Sequence, residues 1–326
     1  MICSFFCNQY SDCMDIVKPR KLDKGDLIGL ITPASLPSDL SRINKGVSYL
    51  ENMGYHVEVG KNVGAQRGYL AGNDEQRLQD LHDMFANDDV KAIFCVRGGY
   101  GSGRLLDKID YELIKKNPKI FVGYSDITAL QTAFFNKTGL VTFAGPMVAV
   151  DFHDEVDPFA EEIFWATITS KNKIGKLRNP DDENFYILSH GRSEGEIIGG
   201  NLSLICSLLG TDYEPQFENK ILIIEEIGEL PFRVDRMFNQ LRLAGVFKKV
   251  AGVILGRFVD CYETDDKKSS LSLNEVIADY FTNLQIPVFY NIKHGHIRQN
   301  ITIPYGLNVK LNTSRKFIEF TESAVI

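Results

Sequence analysis

Residues 119–139 read KIFVGYSDITALQTAFFNKTG. An apolar run reaches Gly123-Tyr124, and Ser125-Asp126 then opens a helix-forming stretch that Gly139 can close. A serine on so tight a strand-to-helix turn is pushed clear of the backbone. Its hydroxyl stands at the carboxyl edge of the sheet, and the amide N–H groups after it point at the same spot. Such a serine could act as an acyl-transfer nucleophile, because a helix N-terminus favours developing negative charge. The G-x-S-x-G pattern is half met: Gly123-Tyr124-Ser125 is present, and Ile127 takes the place of the second glycine. Serine is also a preferred helix N-cap, so the turn alone leaves both roles open. Upstream, Arg97–Arg104 reads RGGYGSGR after the apolar run KAIFCV. Glycines let backbone N–H groups approach a ligand closely. They could complete an oxyanion hole beside Ser125, cradle a phosphate, or simply form a tight loop. The phosphate reading is the weak one, because Gly99, Gly101 and Gly103 lie two apart and no G-x-G-x-x-G spacing results.

A serine nucleophile needs a general base, and the base needs an orienting acid. There are six histidines: His56, His82, His153, His190, His294 and His296. His294 and His296 follow the apolar run IPVFYN on one loop, where catalytic groups often sit. An H-x-H pair could instead hold a metal, since alternate residues of an extended chain share a face; a metal-dependent hydrolase is the corresponding alternative. Ile221–Glu229 (ILIIEEIGE) is an apolar strand ending in the carboxylates Glu225 and Glu226. Either could reach into a cleft or stand solvated at the strand end.

These residues need a scaffold, and the pattern predicts an α/β one. Short apolar runs at 26–32, 55–59, 91–96 and 119–124 read as strands. Helical spacing lies between them, around Leu40–Leu50 with Ser38 as its cap, from Asn73-Asp74, and over 102–116. Strands alternating with helices imply a mostly parallel sheet covered on both faces. We expect an N-terminal α/β domain over 14–150 carrying the serine and a crossover over 151–185. A smaller α/β C-terminal domain over 186–326 would carry the acid and base. Residues 1–13 hold Cys3, Cys7 and Cys13 but lack a basic n-region and a long apolar run, so we read them as a disordered extension and not a secretory signal.

Composition narrows the function. Hydrophobic residues make up 44% and charged residues 24% of 326, as in a soluble globular protein. Lys plus Arg is 36 against 43 Asp plus Glu, a net charge of −7, and no long basic run appears. That argues against a nucleic-acid surface. No apolar stretch approaches the ~20 residues of a membrane span. The scattered Cys95, Cys206 and Cys261 suit a reducing, cytoplasmic compartment.

Taken jointly, several segments resemble one family, the LD-carboxypeptidases among the serine peptidases. They are GLITPAS (29–35), RGGYGSGRLL (97–106), FVGYSDITALQ (121–131), GGNLSLICSLLGT (199–211), IIEEIGELPFRVDRMFNQL (223–241) and GHIRQNITIPYG (295–306). The resemblance implies Ser125 as nucleophile, Glu225 as triad acid with Glu226 as its neighbour, and His296 as base. It implies an oxyanion hole from the Gly98-Gly99 turn and the Asp126 N–H. It also implies a flavodoxin-like or Rossmann-like N-terminal domain joined to a smaller C-terminal domain, a site between the two, no cofactor or metal, and a homodimer. The implied substrate is the muropeptide L-Ala-γ-D-Glu-(diamino acid)-D-Ala, cut before the terminal D-Ala in peptidoglycan recycling. A sister branch cleaves peptidyl-nucleotide antibiotics in self-immunity, but EEIGELPFRVDRM is more similar to the recycling branch. A carboxypeptidase must bind a free carboxylate, for which Arg97, Arg233 and Arg236 are the candidates.

Overall fold

The computed structural model describes residues 15–180, 183–265 and 267–326. The expected extension over 1–13, with Cys3, Cys7 and Cys13, lies outside the described residues. The chain forms a two-domain α/β fold built on two sheets. In chain order the strands are β1 (Leu27–Ile31), β2 (His56–Val59), β3 (Val90–Cys95), β4 (Ile120–Val122), β5 (Thr142–Ala144), β6 (Gly175–Lys176) and β7 (Tyr186–Ser189). They continue as β8 (Arg192–Asn201), β9 (Ile221–Ile227), β10 (Gly252–Val259), β11 (Val288–Tyr290), β12 (Ile303–Tyr305), β13 (Asn308–Asn312) and β14 (Phe317–Phe320).

The first sheet runs β12-β5-β4-β3-β1-β2. Its first five strands in sequence are mutually parallel, and β12 returns from far along the chain to pair antiparallel with β5. Because β1 has β2 on one side and β3 on the other, the strand order reverses there. In such sheets the carboxyl ends of the strands at the reversal, here β1 and β3, are the usual place for a ligand. The glycine-rich loop begins just beyond β3. The second sheet runs β6-β14-β13-β8-β9-β10-β11-β7, with β8 to β11 parallel at its centre. Strand β9 is buried along nearly its whole length, which is why it reads as the unbroken run Ile-Leu-Ile-Ile.

Local chemistry corrects several predicted boundaries. The helix at Ser41–Asn52 is not capped by Ser38; Asp39 Oδ1 accepts from Ser41 N at 2.9 Å instead. The stretch 102–116 is two pieces, a 3₁₀ turn at Ser102–Lys108 and a helix at Tyr111–Lys116. Asp110 restarts the chain by accepting from Leu113 N at 2.9 Å. Residues 151–185 contain a helix, Pro158–Thr169, started by Asp157 as cap with Pro158 in the first turn. Its Trp165 donates to Tyr49 Oη at 3.0 Å and stacks on Tyr55, which fixes this helix against the first domain.

Candidate active site

Ser125 follows β4 in the dipeptide-linked turn Gly123-Tyr124-Ser125. Tyr124 is extended (φ −148°), and Ser125 then takes φ +65° before a 3₁₀ turn leads into the helix Thr128–Thr138. A non-glycine residue in the left-handed region costs on the order of 1–3 kcal/mol and persists only where its surroundings over-determine it. Those surroundings are visible. A side chain on Gly123 would lie 3.0 Å from both γ-carbons of Ile127 and 3.2 Å from Cys95, so the bulk that replaces the expected second glycine packs back onto the first. Gln131 Nε2 holds the Gly123 carbonyl at 3.0 Å. Asp126 is buried, and its carboxylate accepts from Ser102 N at 2.8 Å while its carbonyl accepts from Ser102 Oγ at 2.5 Å. The serine turn and the glycine-rich loop are thus locked together.

That loop comes very close to the serine. A Cβ on Gly98 would sit 3.0 Å from Ser125 Cβ and 3.2 Å from its Oγ. Gly99 has φ +102°, and a Cβ there would strike Ser35 at 2.6 Å. Ser35 N donates to Gly98 O at 3.1 Å, and Ser35 Oγ accepts from Tyr100 N at 3.1 Å, pinning both ends of the turn. Behind it, buried Arg77 donates to Gly101 O at 2.8 Å and Pro33 O at 2.6 Å, and pairs with Asp74 at 2.6 Å. The Arg104, Arg77 and Lys108 cations around Asp74 hold its carboxyl well below the usual carboxylate range.

The second sheet supplies the facing groups. Glu225 Oε2 and His296 Nδ1 are 2.7 Å apart, with Glu225 only 1% exposed. Successive strand residues point to opposite faces, so Glu226 turns the other way. It accepts from Asn201 Nδ2 (2.8 Å), Ser203 N (2.8 Å), Ser203 Oγ (2.6 Å) and Ile227 N (2.9 Å), a structural role at the start of the helix Leu202–Leu208. Gly295 (φ +125°) permits the approach, because a Cβ there would lie 2.8 Å from Glu225 Oε2. His294 is fully engaged elsewhere: Nδ1 meets Ile301 O at 2.9 Å and Nε2 meets Tyr305 Oη at 3.3 Å. Burial pushes its pKa down. Among the described residues no three His, Cys, Asp or Glu side chains gather as a metal-holding group.

Tyr124 joins the two halves. Its ring meets the His296 imidazole edge-on, with centroids 5.1 Å apart. Asn201 N also donates to Thr128 Oγ1 at 3.1 Å, tying the end of β8 to the helix that follows Ser125. Burial lowers the His296 pKa, but the Glu225 hydrogen bond and the charges of Glu225, Glu226 and Asp151 outweigh it and leave the value raised. With Nδ1 bonded to Glu225, Nε2 is the nitrogen left for proton transfer. Asp151 was not singled out in the sequence, where it is one acid in an acidic stretch. Here it accepts from Met147 N at 2.8 Å, and burial pushes its carboxyl up to about 6. Of the candidate guanidiniums, Arg97 donates to Leu36 O near the glycine turn. Arg233 pairs with Glu229 at 3.3 Å on an exposed face, and Arg236 is exposed on the same helix.

A serine turn at the end of a parallel-sheet strand, whose tyrosine meets a glutamate–histidine pair from the second sheet, has the form of an α/β hydrolytic site. The sequence matches the LD-carboxypeptidase N-terminal domain over residues 28–145 and the LD-carboxypeptidase C-terminal domain over 194–311. The chain belongs to the LD-carboxypeptidase family. A probable murein peptide carboxypeptidase of Bacillus subtilis is 43% identical, with 92% of each chain covered. The microcin C7 self-immunity protein MccF of Escherichia coli, in its wild-type apo structure, aligns with a TM-score of 0.86 at 29% identity, covering 95% of this chain and all of that one. The muramoyltetrapeptide carboxypeptidase of Oxalobacter formigenes aligns with a TM-score of 0.79 at 31% identity, covering 90% and 97%.

Proposed function

We propose that this protein is a serine-type LD-carboxypeptidase that releases the terminal D-Ala of muropeptide tetrapeptides during peptidoglycan recycling in the cytoplasm, working as a homodimer. The observation that carries the reading is Ser125 at φ +65° against Gly98, opposite a His296 bonded to Glu225. In this reading His296 Nε2 takes the Ser125 proton as Oγ attacks the carbonyl of the diamino acid's L-centre. Glu225 holds the imidazole in the Nδ1–H tautomer and stabilises its charged form. The N–H groups of Gly99 and Asp126, with Gly98 leaving the approach open, receive the oxyanion. Collapse breaks the C–N bond, and His296 returns the proton to the departing D-Ala amine. Water, deprotonated by the same imidazole, then hydrolyses the ester and restores Ser125. Arg97, next to the turn, is the proposed contact for the terminal carboxylate; Arg233 and Arg236 stay secondary candidates.

The test is D-Ala release from L-Ala-γ-D-Glu-L-Lys-D-Ala and its diaminopimelate counterpart, with wild type, Ser125→Ala and an EDTA-treated sample in parallel. Release that survives EDTA and disappears in the variant supports the reading. No release by folded wild type removes it. The likeness to MccF favours a second reading, cleavage of a peptidyl-nucleotide, and adding such a substrate to the assay discriminates the two.

A further inference from the structure

The loop that carries His296 is the chain's passage between its two sheets. It leaves β11 of the second sheet at Tyr290 and enters β12 at Ile303, where the chain joins the first sheet. One residue on that passage, His294, grips both sheets, and it lies two positions before His296. Its backbone is held by the second sheet: His294 O accepts from Arg257 N at 2.9 Å, and a Cβ on Gly256 would strike that oxygen at 2.6 Å. Its side chain is held by the first: Nε2 meets Tyr305 Oη at 3.3 Å, and Tyr305, the last residue of β12, is the register partner of Thr142 in β5.

The far end of this contact leads to Ser125. Strand β5 pairs with β4, the strand that runs into the serine turn. A Cβ on Gly200 would lie 3.1 Å from Tyr305 Oη and 2.5 Å from Thr128 Oγ1, so the phenol stands beside the helix that follows Ser125. Chemistry sets the polarity of the bond. Nδ1 of His294 lies 2.9 Å from Ile301 O, and a carbonyl only accepts, so Nδ1 carries the proton and Nε2 accepts from the Tyr305 hydroxyl. Both side chains are buried. Burying an imidazole and a phenol has a cost that an apolar pair would not carry. What the polar pair adds is direction, because a hydrogen bond fixes an angle and a distance that apolar contact leaves loose.

We propose that His294 and Tyr305 are positioning residues, whose hydrogen bond ties the histidine loop to the first sheet and so sets where His296 stands relative to Ser125. Only Gly295 separates His294 from His296. Gly295 is itself pinned, its N–H donating to Asn300 Oδ1 at 3.0 Å, so a shift at His294 passes on to the imidazole. A misplacement of about 1 Å at the base costs on the order of 10²-fold in rate. The proposal rests on the Ser125–Glu225–His296 reading above and goes beyond it, by assigning two residues that act on the reaction only through His296.

The test compares full-length wild type with Tyr305→Phe, His294→Gln, His294→Asn and the double variant Tyr305→Phe/His294→Asn. His294→Gln puts an amide oxygen where Nε2 stands and keeps an acceptor for Tyr305, whereas His294→Asn puts an amide N–H where Nδ1 stands and keeps only Ile301. Two readouts run together: D-Ala release, and the rate at which a fluorophosphonate labels Ser125, which needs the serine and its base but no muropeptide. Tyr305→Phe and His294→Asn should each lower kcat and the labelling rate about 10- to 100-fold, with KM within about twofold. His294→Gln should stay within about threefold of wild type, and the double variant should be no slower than the slower single one, because both substitutions break one bond. Wild-type rates in Tyr305→Phe, His294→Asn outperforming His294→Gln, or losses that multiply in the double variant overturn the proposal. If Tyr305→Phe fails to fold, the order of His294→Gln and His294→Asn decides alone. Wild type that is labelled but releases no D-Ala retires the muropeptide reading and leaves the positioning pair to be judged on labelling rates. Folded wild type that does neither removes both.

Discussion

The contacts that shape the Ser125 turn come from nearby sequence. Ser102 and Asp126, which lock the turn to the glycine loop, are 24 positions apart, and both belong to the first sheet's connections. Glu225 and His296 are 71 positions apart, on a strand end and a loop of the second sheet. The first region stores its information as backbone conformation: a strained φ at Ser125 and glycines at which a Cβ has no room. The second stores it as side-chain pairing, one carboxylate chosen from two by strand alternation. A backbone site should fail through sterics, and a pairing site through lost charge and hydrogen bonds.

The largest expected effect separates activity from stability at the turn. Ser125→Gly removes the proposed nucleophile and should lower kcat by several orders of magnitude. It should also raise the unfolding midpoint, because glycine adopts φ +65° without strain. A midpoint that falls would mean the turn carries no strain, measured by thermal unfolding beside D-Ala release. The neighbouring carboxylates sharpen the contrast next. Glu225→Gln should cost roughly 10³–10⁴ in kcat with little change in stability, by loss of the correct tautomer. Glu226→Gln should keep most activity but destabilise by about 1–3 kcal/mol, since it disturbs the acceptor for Asn201, Ser203 and Ile227. Reversed outcomes would reassign the acid.

A smaller effect is expected at Gly98→Ala. The added methyl, 3.0 Å from Ser125 Cβ, should displace the serine or the loop and lower kcat about 10²-fold, with KM moving less. Kinetics equal to wild type would show that the loop yields freely. The smallest effect is electrostatic. His296 is raised above its ordinary 6.5, so the acid limb of kcat/KM should lie above that value. Asp151→Asn removes one negative charge facing the imidazole and should move that limb to lower pH. The same variant should alter stability. Asp151 is raised from 3.8 to about 6, so the folded chain keeps a proton that the unfolded chain loses across that window. Stability contributed by this group therefore falls as pH rises from about 4 to 6, and the asparagine variant should lack that fall. A pH–rate limb that does not move would detach Asp151 from the histidine.

Much of this was legible in the residues. Alternating apolar runs gave the parallel first sheet, and the resemblance pointed at Ser125, Glu225 and His296, of which the structure pairs Glu225 with His296 and sets Tyr124, the residue before Ser125, against the imidazole. Composition and spacing were silent where selection depends on direction. Whether Glu225 or Glu226 faces the histidine follows from which face of β9 lies toward the loop. Whether His294 is a ligand or a core group follows from Ile301 and Tyr305 closing on both its nitrogens. Ser38 looked like a cap, but the helix starts at Ser41 with Leu40 at its N-cap and no side-chain cap, and Asp39 Oδ1 accepts from Ser41 N instead.

The sequence by itself determined the local conformations: glycines where the backbone must turn or approach closely, a serine at a strand-to-helix junction, and apolar runs that must be buried on both faces. These are decided by sterics and hydrophobic periodicity over a few residues, which any stretch of chain carries with it. Only the tertiary structure decided the partnerships: Tyr124 against His296, Glu225 on His296, and Asn201 on Thr128. Each depends on the relative placement of two sheets, and such placement is fixed by packing across the whole molecule, not by spacing along the chain.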